Sequence, residues 1–258
     1  MIQRAISYWK LHRIPILMVL LSILFYISFG HHLDRTDFVK LLCLYLGLFF
    51  LCYKLIQFEK WNFKFLAISG TIFRLMLLFA EPNLSQDFYR FIWDGQLINN
   101  GLSPYLHLPK DLIIQNGQLM HNAAELVSGM GSLSASNYSN YPPLNQFIFA
   151  MSTWLSGKSV VGSVLVMRTV IIISDLGILY FGRKLLQKLN KSTHLIFWYF
   201  LNPLVVLELT GNLHFEGVML FFFIWSMCLL NNKKWLLAAV VYALSISIKL
   251  VPLLFLPL

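Results

Sequence analysis

Seven mainly apolar stretches, residues 14–30, 41–56, 65–80, 160–181, 195–209, 218–230 and 235–258, occupy much of this 258-residue chain. Runs of roughly 17–25 such residues are long enough to cross a bilayer as helices. Inside the hydrocarbon every backbone N–H and C=O needs a partner in its own segment, which an α-helix supplies. A chain that is 58% hydrophobic and 12% charged, with mean hydropathy +0.68, is far from a soluble domain. The expected fold is therefore all-α: one polytopic transmembrane helical bundle over residues 1–258, with seven spans, some of them short.

A net charge of +9 invites a nucleic-acid partner, but its placement argues against one. Arg4, Lys10 and Arg13 precede the first span, and Lys54, Lys60 and Lys64 flank the second and third. Arg183, Lys184, Lys188 and Lys191 follow the fourth, and Lys233 and Lys234 precede the seventh. Basic residues concentrated in short loops mark the cytoplasmic side, and seven alternating spans put all four clusters there. The first apolar run is long for a signal peptide and no small-x-small site follows it, so it reads as a retained span. Cys43, Cys52 and Cys228 all fall within spans and indicate no disulfide framework.

The one large segment outside the spans, residues 81–158, then faces away from the cytoplasm and is too long for an idle connector. Asp87 to Asn99 reads as a helix, with Ser85 as its N-cap and Asn99-Asn100-Gly101 before Pro104 as its stop. Glu125 to Pro143, rich in Gly, Ser and Asn, reads as irregular chain. Residues 144–155 are apolar but too short to span, and are expected as an interfacial or re-entrant helix. Asn137-Tyr138-Ser139 fits a glycosylation pattern that matters only in a eukaryotic secretory compartment. The remaining histidines, His31 and His32 included, read as interfacial surface residues.

On a helix, residues three, four and seven apart share a face, so Asp87, Arg90 and Asp94 line up while Phe88, Phe91 and Ile92 cover another side. This predicts an amphipathic helix lying at the membrane surface. Asp87 then serves either chemistry or only the helix N-terminus, with Arg90 pairing Asp94, and the pattern alone leaves both open.

The stretch DFYRFIWDGQLINNGLSPY, residues 87–105, resembles the first outward loop of membrane mannosyltransferases of the glycosyltransferase C superfamily. Members of that superfamily commonly carry an acidic pair, Tyr-Arg-Tyr, Trp-Asp-Gly and Gly-x-x-Pro-Tyr. Asp87, Tyr89, Arg90, Trp93, Asp94, Gly95, Gly101, Pro104 and Tyr105 match, while Gln86 replaces the first acidic residue and Phe91 a Tyr. The likeness continues in YPPLNQ (141–146), LNPLVVLELTGNLHFEG (201–217) and SIKLVPLLFLPL (247–258), and members usually continue with further spans, so the chain is expected to be a fragment truncated at its carboxyl end.

The resemblance implies a glycosyltransferase that moves a hexose, mannose above all, from a polyprenyl-phosphate-linked sugar to a glycan or lipid acceptor. Asp87 is the expected catalytic base, taking the proton of the acceptor hydroxyl. Tyr89, Trp93, Tyr105 and Tyr141 are expected to stack on or hydrogen-bond the sugar. Asn212, His214 and Glu216, in a turn on the outer side, are expected to bind sugar hydroxyls or phosphate. Arg90, Arg168, His214 and Lys249 are the available positive or protonatable groups, with Asp94 beside Arg90. Lys249 lies about fourteen residues, ~21 Å, along its outward span. Arg168 and Asp175, seven apart, serve either function or a structural pairing with a neighbouring helix. A leaving group with one phosphate needs no bound metal, so no cofactor is expected, although Glu208, His214 and Glu216 leave a zinc reading open. The expected setting is the bacterial inner membrane with a periplasmic site, the endoplasmic reticulum lumen being the alternative. The rival classes are a lipid or solute transporter, which would line a midplane path between repeats, and a non-catalytic membrane subunit.

Overall fold

The computed structural model describes residues 2–116 and 120–256; the last two residues of the seventh expected span and the side chains of Arg4 and Lys10 fall outside the described residues. Among the described residues every regular element is helical. In order they are α1 (Ile2–His32), α2 (Phe38–Glu59), α3 (Phe63–Met76), α4 (Asp87–Asn99), α5 (Pro109–Asn116), α6 (Ala123–Ala135), α7 (Pro143–Leu155) and α8 (Val160–Lys188). There follow α9 (Thr193–Phe200), α10 (Pro203–Gly211), α11 (Glu216–Asn231), α12 (Trp235–Ile246) and a last tight turn, Val251–Phe255. Local chemistry starts the long helices. Asp37 accepts from the Lys40 N–H at 3.0 Å, Asn62 from Phe65 at 3.2 Å and Ser159 from Gly162 at 3.2 Å, each satisfying an amide that the first turn leaves free.

Among the described residues three helices are long and apolar enough to cross a membrane unaided: α1 from Leu11, α2 and α8. The other four expected spans differ. Residues 195–209 are not one rod, because Asn202 and Pro203 divide them into α9 and α10, bent by 52°. The helices α3, α11 and α12 have 14, 16 and 12 residues, ~18–24 Å at 1.5 Å per residue against a hydrocarbon core of about 30 Å. Hydropathy counts apolar residues through a break; the backbone stops where polar groups compete for it. At the end of α3 that competitor is Arg168, which takes the Leu78 carbonyl at 2.9 Å.

Two cores share α8 as their common spine. One, with Tyr26, Phe29, Leu48, Leu55, Phe73, Phe197 and Phe200, binds α1, α2, α3 and α9 to the C-terminal half of α8 through Ile178 and Leu179. The other gathers Phe88, Phe91, Trp93, Leu126, Met130 and Phe149 against Val164, Met167 and Ile171 in its N-terminal half. The segment between α3 and α8 is thus a folded cap on one end of the bundle. Basic segments meet at the opposite end: Arg183 lies 4.2 Å over the Phe63 ring, Lys188 donates to Asn232, and His12 contacts Glu59 at 2.6 Å.

Polar groups lock the bundle from within. Arg74 and Asp175 are fully buried and pair at 2.7 Å, while Arg74 also donates to the Gly70 and Phe200 carbonyls and the Tyr199 hydroxyl donates to Asp175 at 2.9 Å. Arg168 has different partners, the carbonyls of Leu78, Thr210 and Gly211 at 2.7–2.9 Å. Both intramembrane residues singled out by spacing therefore have structural partners, and Arg168 and Asp175 do not pair with each other.

Breaking a buried pair on one side costs about 3–5 kcal/mol, because a charge is left uncompensated. Arg74→Met alone and Asp175→Leu alone should each sharply lower the melting temperature in detergent, and the double variant should recover most of the loss. Equal and additive losses in a double-mutant cycle would refute the coupling.

Candidate functional site

The cap is built around α4, and α4 is not the surface helix that its pattern suggested: every residue from Arg90 to Leu97 is buried. The helix α6 covers one side and α7 the other, so the hydrogen bonds that its buried polar residues make go to protein, while Arg90 Nη2, Trp93 Nε1 and Gln96 Nε2 are buried without a partner among the described residues. Gly95 makes the contact with α7 feasible, since a Cβ there would stand 2.3 Å from the Phe149 carbonyl oxygen. The Gly- and Ser-rich stretch expected to be irregular forms most of α6, because Ala123, Leu126 and Met130 fall on one face and pack on α4. Only at Gly131 does its backbone break, at φ 76 and ψ 164. The expected apolar helix at 144–155 is present as α7, burying Asn145, Gln146, Ile148 and Phe149 while Phe147, Trp154 and Leu155 face outward.

The N-cap of α4 is Gln86, one residue beyond the expected Ser85, whose hydroxyl accepts from the Asp87 N–H at 3.3 Å. Gln86 donates its side-chain amide to the Met130 carbonyl at 3.3 Å, beside the Gly131 break. Asp87 is exposed in the first turn, where the helix dipole favours a negative charge, and its carboxylate makes no hydrogen bond or ion pair among the described residues.

Several residues of the motif hold the cap together. Arg90 is buried, pairs with Asp94 at 2.8 Å, and donates to the Ser134 and Asn137 carbonyls at 2.7 and 2.9 Å. Asp94 also accepts from Ser139 at 2.5 Å and Gln146 at 3.0 Å. Burial holds the Asp94 carboxyl above its ordinary range, opposed by the Arg90 charge and these donors. Trp93 is wholly buried in the cap core, which removes it as a stacking surface. Tyr89 packs on Gly129 and reaches Glu81 at 3.3 Å, and burial followed by the Glu81 charge raises its hydroxyl pKa. Asn212 is buried too, accepting from the Leu84 N–H at 3.2 Å and donating to Glu208 at 3.0 Å. Ser139, in the glycosylation-like pattern, is spent on Asp94.

Five residues singled out by the sequence do converge. Asp87, Tyr141, His214, Glu216 and Lys249, with Phe91, Asn145 and Phe215, line one cleft of about 140 Å³ at the junction of α4, α7, the turn before α11 and the end of α12. Glu216 pairs with Lys249, and His214 Nδ1 lies 3.8 Å from Glu208. Tyr141 presents its ring edge-on to Phe91 and Phe149, and burial, reinforced by the charges of Asp87 and Asp94, raises its hydroxyl pKa. Tyr105 stands outside the cleft and donates to the Tyr141 carbonyl at 2.7 Å. Lys249 is aimed by α7: the Leu144 N–H donates to the Ser247 carbonyl at 3.2 Å and Asn145 to that of Ile248 at 2.7 Å. A larger cavity of about 450 Å³ at the basic end surrounds Glu59, already held by His12 and Asn62, and gathers none of these residues.

Glu216 turns to Lys249, and the described residues contain no cluster of three side chains that could hold a metal ion. Sequence reasoning missed Arg74, hidden inside an apolar run, and Asn145, which stands within the quoted YPPLNQ and needed only a reason to be separated from Gln146.

An α-(1→6)-mannopyranosyltransferase A of Corynebacterium glutamicum is 22% identical over 192 residues, 70% of this chain and 36% of its own length. An α-(1→6)-mannopyranosyltransferase of Mycobacterium tuberculosis is 27% identical over 150 residues, 58% of this chain and 24% of its own. The B enzyme of C. glutamicum is 27% identical over 57% of this chain and 23% of its own. The chain thus spans about a third, or less, of the length of these curated relatives, and no solved structure matches it. A family model described as the N-terminal domain of α-(1→6)-mannopyranosyltransferases matches residues 21–258, and the chain belongs to that family.

Proposed function

We propose that the cleft transfers a mannosyl group from a polyprenyl-phosphate carrier to an acceptor hydroxyl, on the extracytoplasmic face of a bacterial inner membrane. One observation carries this reading: Asp87, whose carboxylate has no partner among the described residues, lines the same small cleft as Lys249 and His214. Asp87 takes the proton from the acceptor hydroxyl as that oxygen attacks the anomeric carbon. The bond from that carbon to the phosphate oxygen breaks, and the lipid phosphate leaves with its electron pair. The Lys249 ammonium and a hydrogen bond from His214 stabilise the developing charge on the phosphate. No step requires a metal. The mannose identity draws support from the names of the family and its relatives.

The face is assigned from charge. The segments with Lys60, Lys64, Arg183 to Lys191, Lys233 and Lys234 lie at the end remote from the cap, and basic ends stay in the cytoplasm. A second reading, a chain that holds the carrier but needs further polypeptide to turn it over, is favoured by the small share of its relatives' length that it spans. Incubation with labelled polyprenyl-phosphate mannose separates the two readings: transfer supports the first, binding without turnover the second.

Positioned general bases contribute ~100- to 10,000-fold. Asp87→Asn should therefore remove ~100-fold or more of the transfer rate while leaving detergent melting unchanged. Asp94→Asn, which leaves Arg90 buried without its counter-charge, should lower stability by about 3–5 kcal/mol. Transfer by Asp87→Asn near the parental rate would discard the base assignment.

The rate should also survive chelation by EDTA; loss restored by a divalent cation would make Asp87 a metal ligand instead. A reporter joined after Ser136 should be active outside the cytoplasm and one joined after Asn190 inside it, and the reversed pair of results would invert the site's placement.

A further inference from the structure

Asn145 stands at the wall of the cleft with only 1% of its surface exposed. Its amide nitrogen donates to the Ile248 carbonyl at 2.7 Å, which identifies the nitrogen end of the group and leaves Oδ1 buried with no partner. Glu216, on the same cleft and with its side chain 43% exposed, has one carboxylate oxygen on Lys249, while the Oε2 atom itself is covered and accepts no hydrogen bond from a neighbouring residue. Buried acceptors without donors destabilise a fold, and native structures hold few of them. Two on one small cleft call for a ligand that brings its own donors.

The space restricts that ligand. About 140 Å³ is roughly ten times what one water site needs, room for a single sugar ring. Two acceptors, one of them anionic, repel phosphate oxygens and favour hydroxyl donors. The phosphate is left to Lys249 and His214, and Phe91 and Phe215 complete the walls.

We propose that Asn145 Oδ1 and Glu216 Oε2 form a hydroxyl-reading subsite for one neutral hexose, in which Asn145 discriminates between sugars by the position of a hydroxyl. This rests on the transferase reading only for the identity of the sugar. A cleft that reads hydroxyls through buried acceptors rejects an analogue lacking the matching group, because the acceptor then stays unpaired.

The test is saturation-transfer NMR on the purified full chain in detergent, with methyl α-mannoside and its monodeoxy analogues as probes. The parent should bind the mannoside, and one monodeoxy analogue should bind ~10-fold more weakly, the scale of one hydrogen bond. Asn145→Leu should weaken the mannoside by ~10-fold and no longer distinguish that analogue. Asn145→Asp loses the anchor on Ile248 but keeps an acceptor, and should stay within ~3-fold of the parent. Failure of the parent to bind, discrimination retained by Asn145→Leu, or an equal loss in Asn145→Asp would overturn the proposal; the last would reduce Asn145 to a clamp on Ile248. Transfer is assayed separately. Binding and discrimination without transfer would sink the transferase reading and leave the subsite standing, whereas transfer with undiminished discrimination in Asn145→Leu would sink the subsite alone.

Discussion

The Arg74–Asp175 pair sets the register on which the rest of the molecule depends. Apolar helices in lipid gain little from burying one greasy face against another, so their relative positions are decided by close packing and polar contacts. A guanidinium and a carboxylate withdrawn from solvent together carry a large desolvation cost that only good geometry offsets. Here Arg74 supplies that geometry three ways, to Asp175 on α8, to Gly70 on its own helix and to Phe200 at the end of α9. Two turns along α8, Arg168 repeats the device with the carbonyls that end α3 and α10. Between them the two arginines place the loop that enters α4 and the turn that enters α11, and these bear Asp87, His214 and Glu216.

What was legible in the sequence follows from what a one-dimensional pattern can contain. Apolar runs announce a helical membrane protein, and α1, α2 and α8 are present where the runs fall. The same runs conceal breaks, because Asn202-Pro203 and the approach of Arg168 to Leu78 act on the backbone while the apolar count goes on undisturbed. Arg74 was passed over for the same reason, as a single charge diluted by its neighbours. Arg168 and Asp175, seven apart on one face, do have the structural partners on neighbouring segments that their spacing allowed, but which segments those are depends on contacts far away in the chain.

The cap teaches a related lesson about motifs. Residues 87–105 read as one functional block, but the fold divides them by access. Asp87 reaches the cleft, while Arg90, Trp93 and Asp94 become the interior of the cap. A polar residue on a helix is read as solvent-facing only if nothing covers it, and the sequence gives no sign that α6 and α7 will wrap α4. Gly95 and Gly129 were the available hint, since each marks a place where a helix backbone meets a neighbour at less than the distance a Cβ allows. Asn145 was hidden differently: its significance lies in an atom without a partner, which only the surroundings reveal.

Gln86 ties the packing to the chemistry. Its side-chain nitrogen donates to the Met130 carbonyl beside the Gly131 break in α6; a carboxylate there has no proton to donate and would meet a carbonyl oxygen head-on. The amide thus joins the N-terminus of α4 to α6 and leaves Asp87 as the sole carboxylate at that helix start. Two adjacent carboxylates would suit a metal, whereas one facing a small cleft suits the removal of a proton. In the proposed reaction the charge of the departing phosphate then falls to Lys249 and His214, which reach the cleft from the end of α12 and the turn before α11. Glu216 and the Ile248 anchor hold Lys249 on that wall. A neutral ring held in this cleft has a proton acceptor, Asp87, and a cation, Lys249, among its walls, the two groups that the proposed displacement requires.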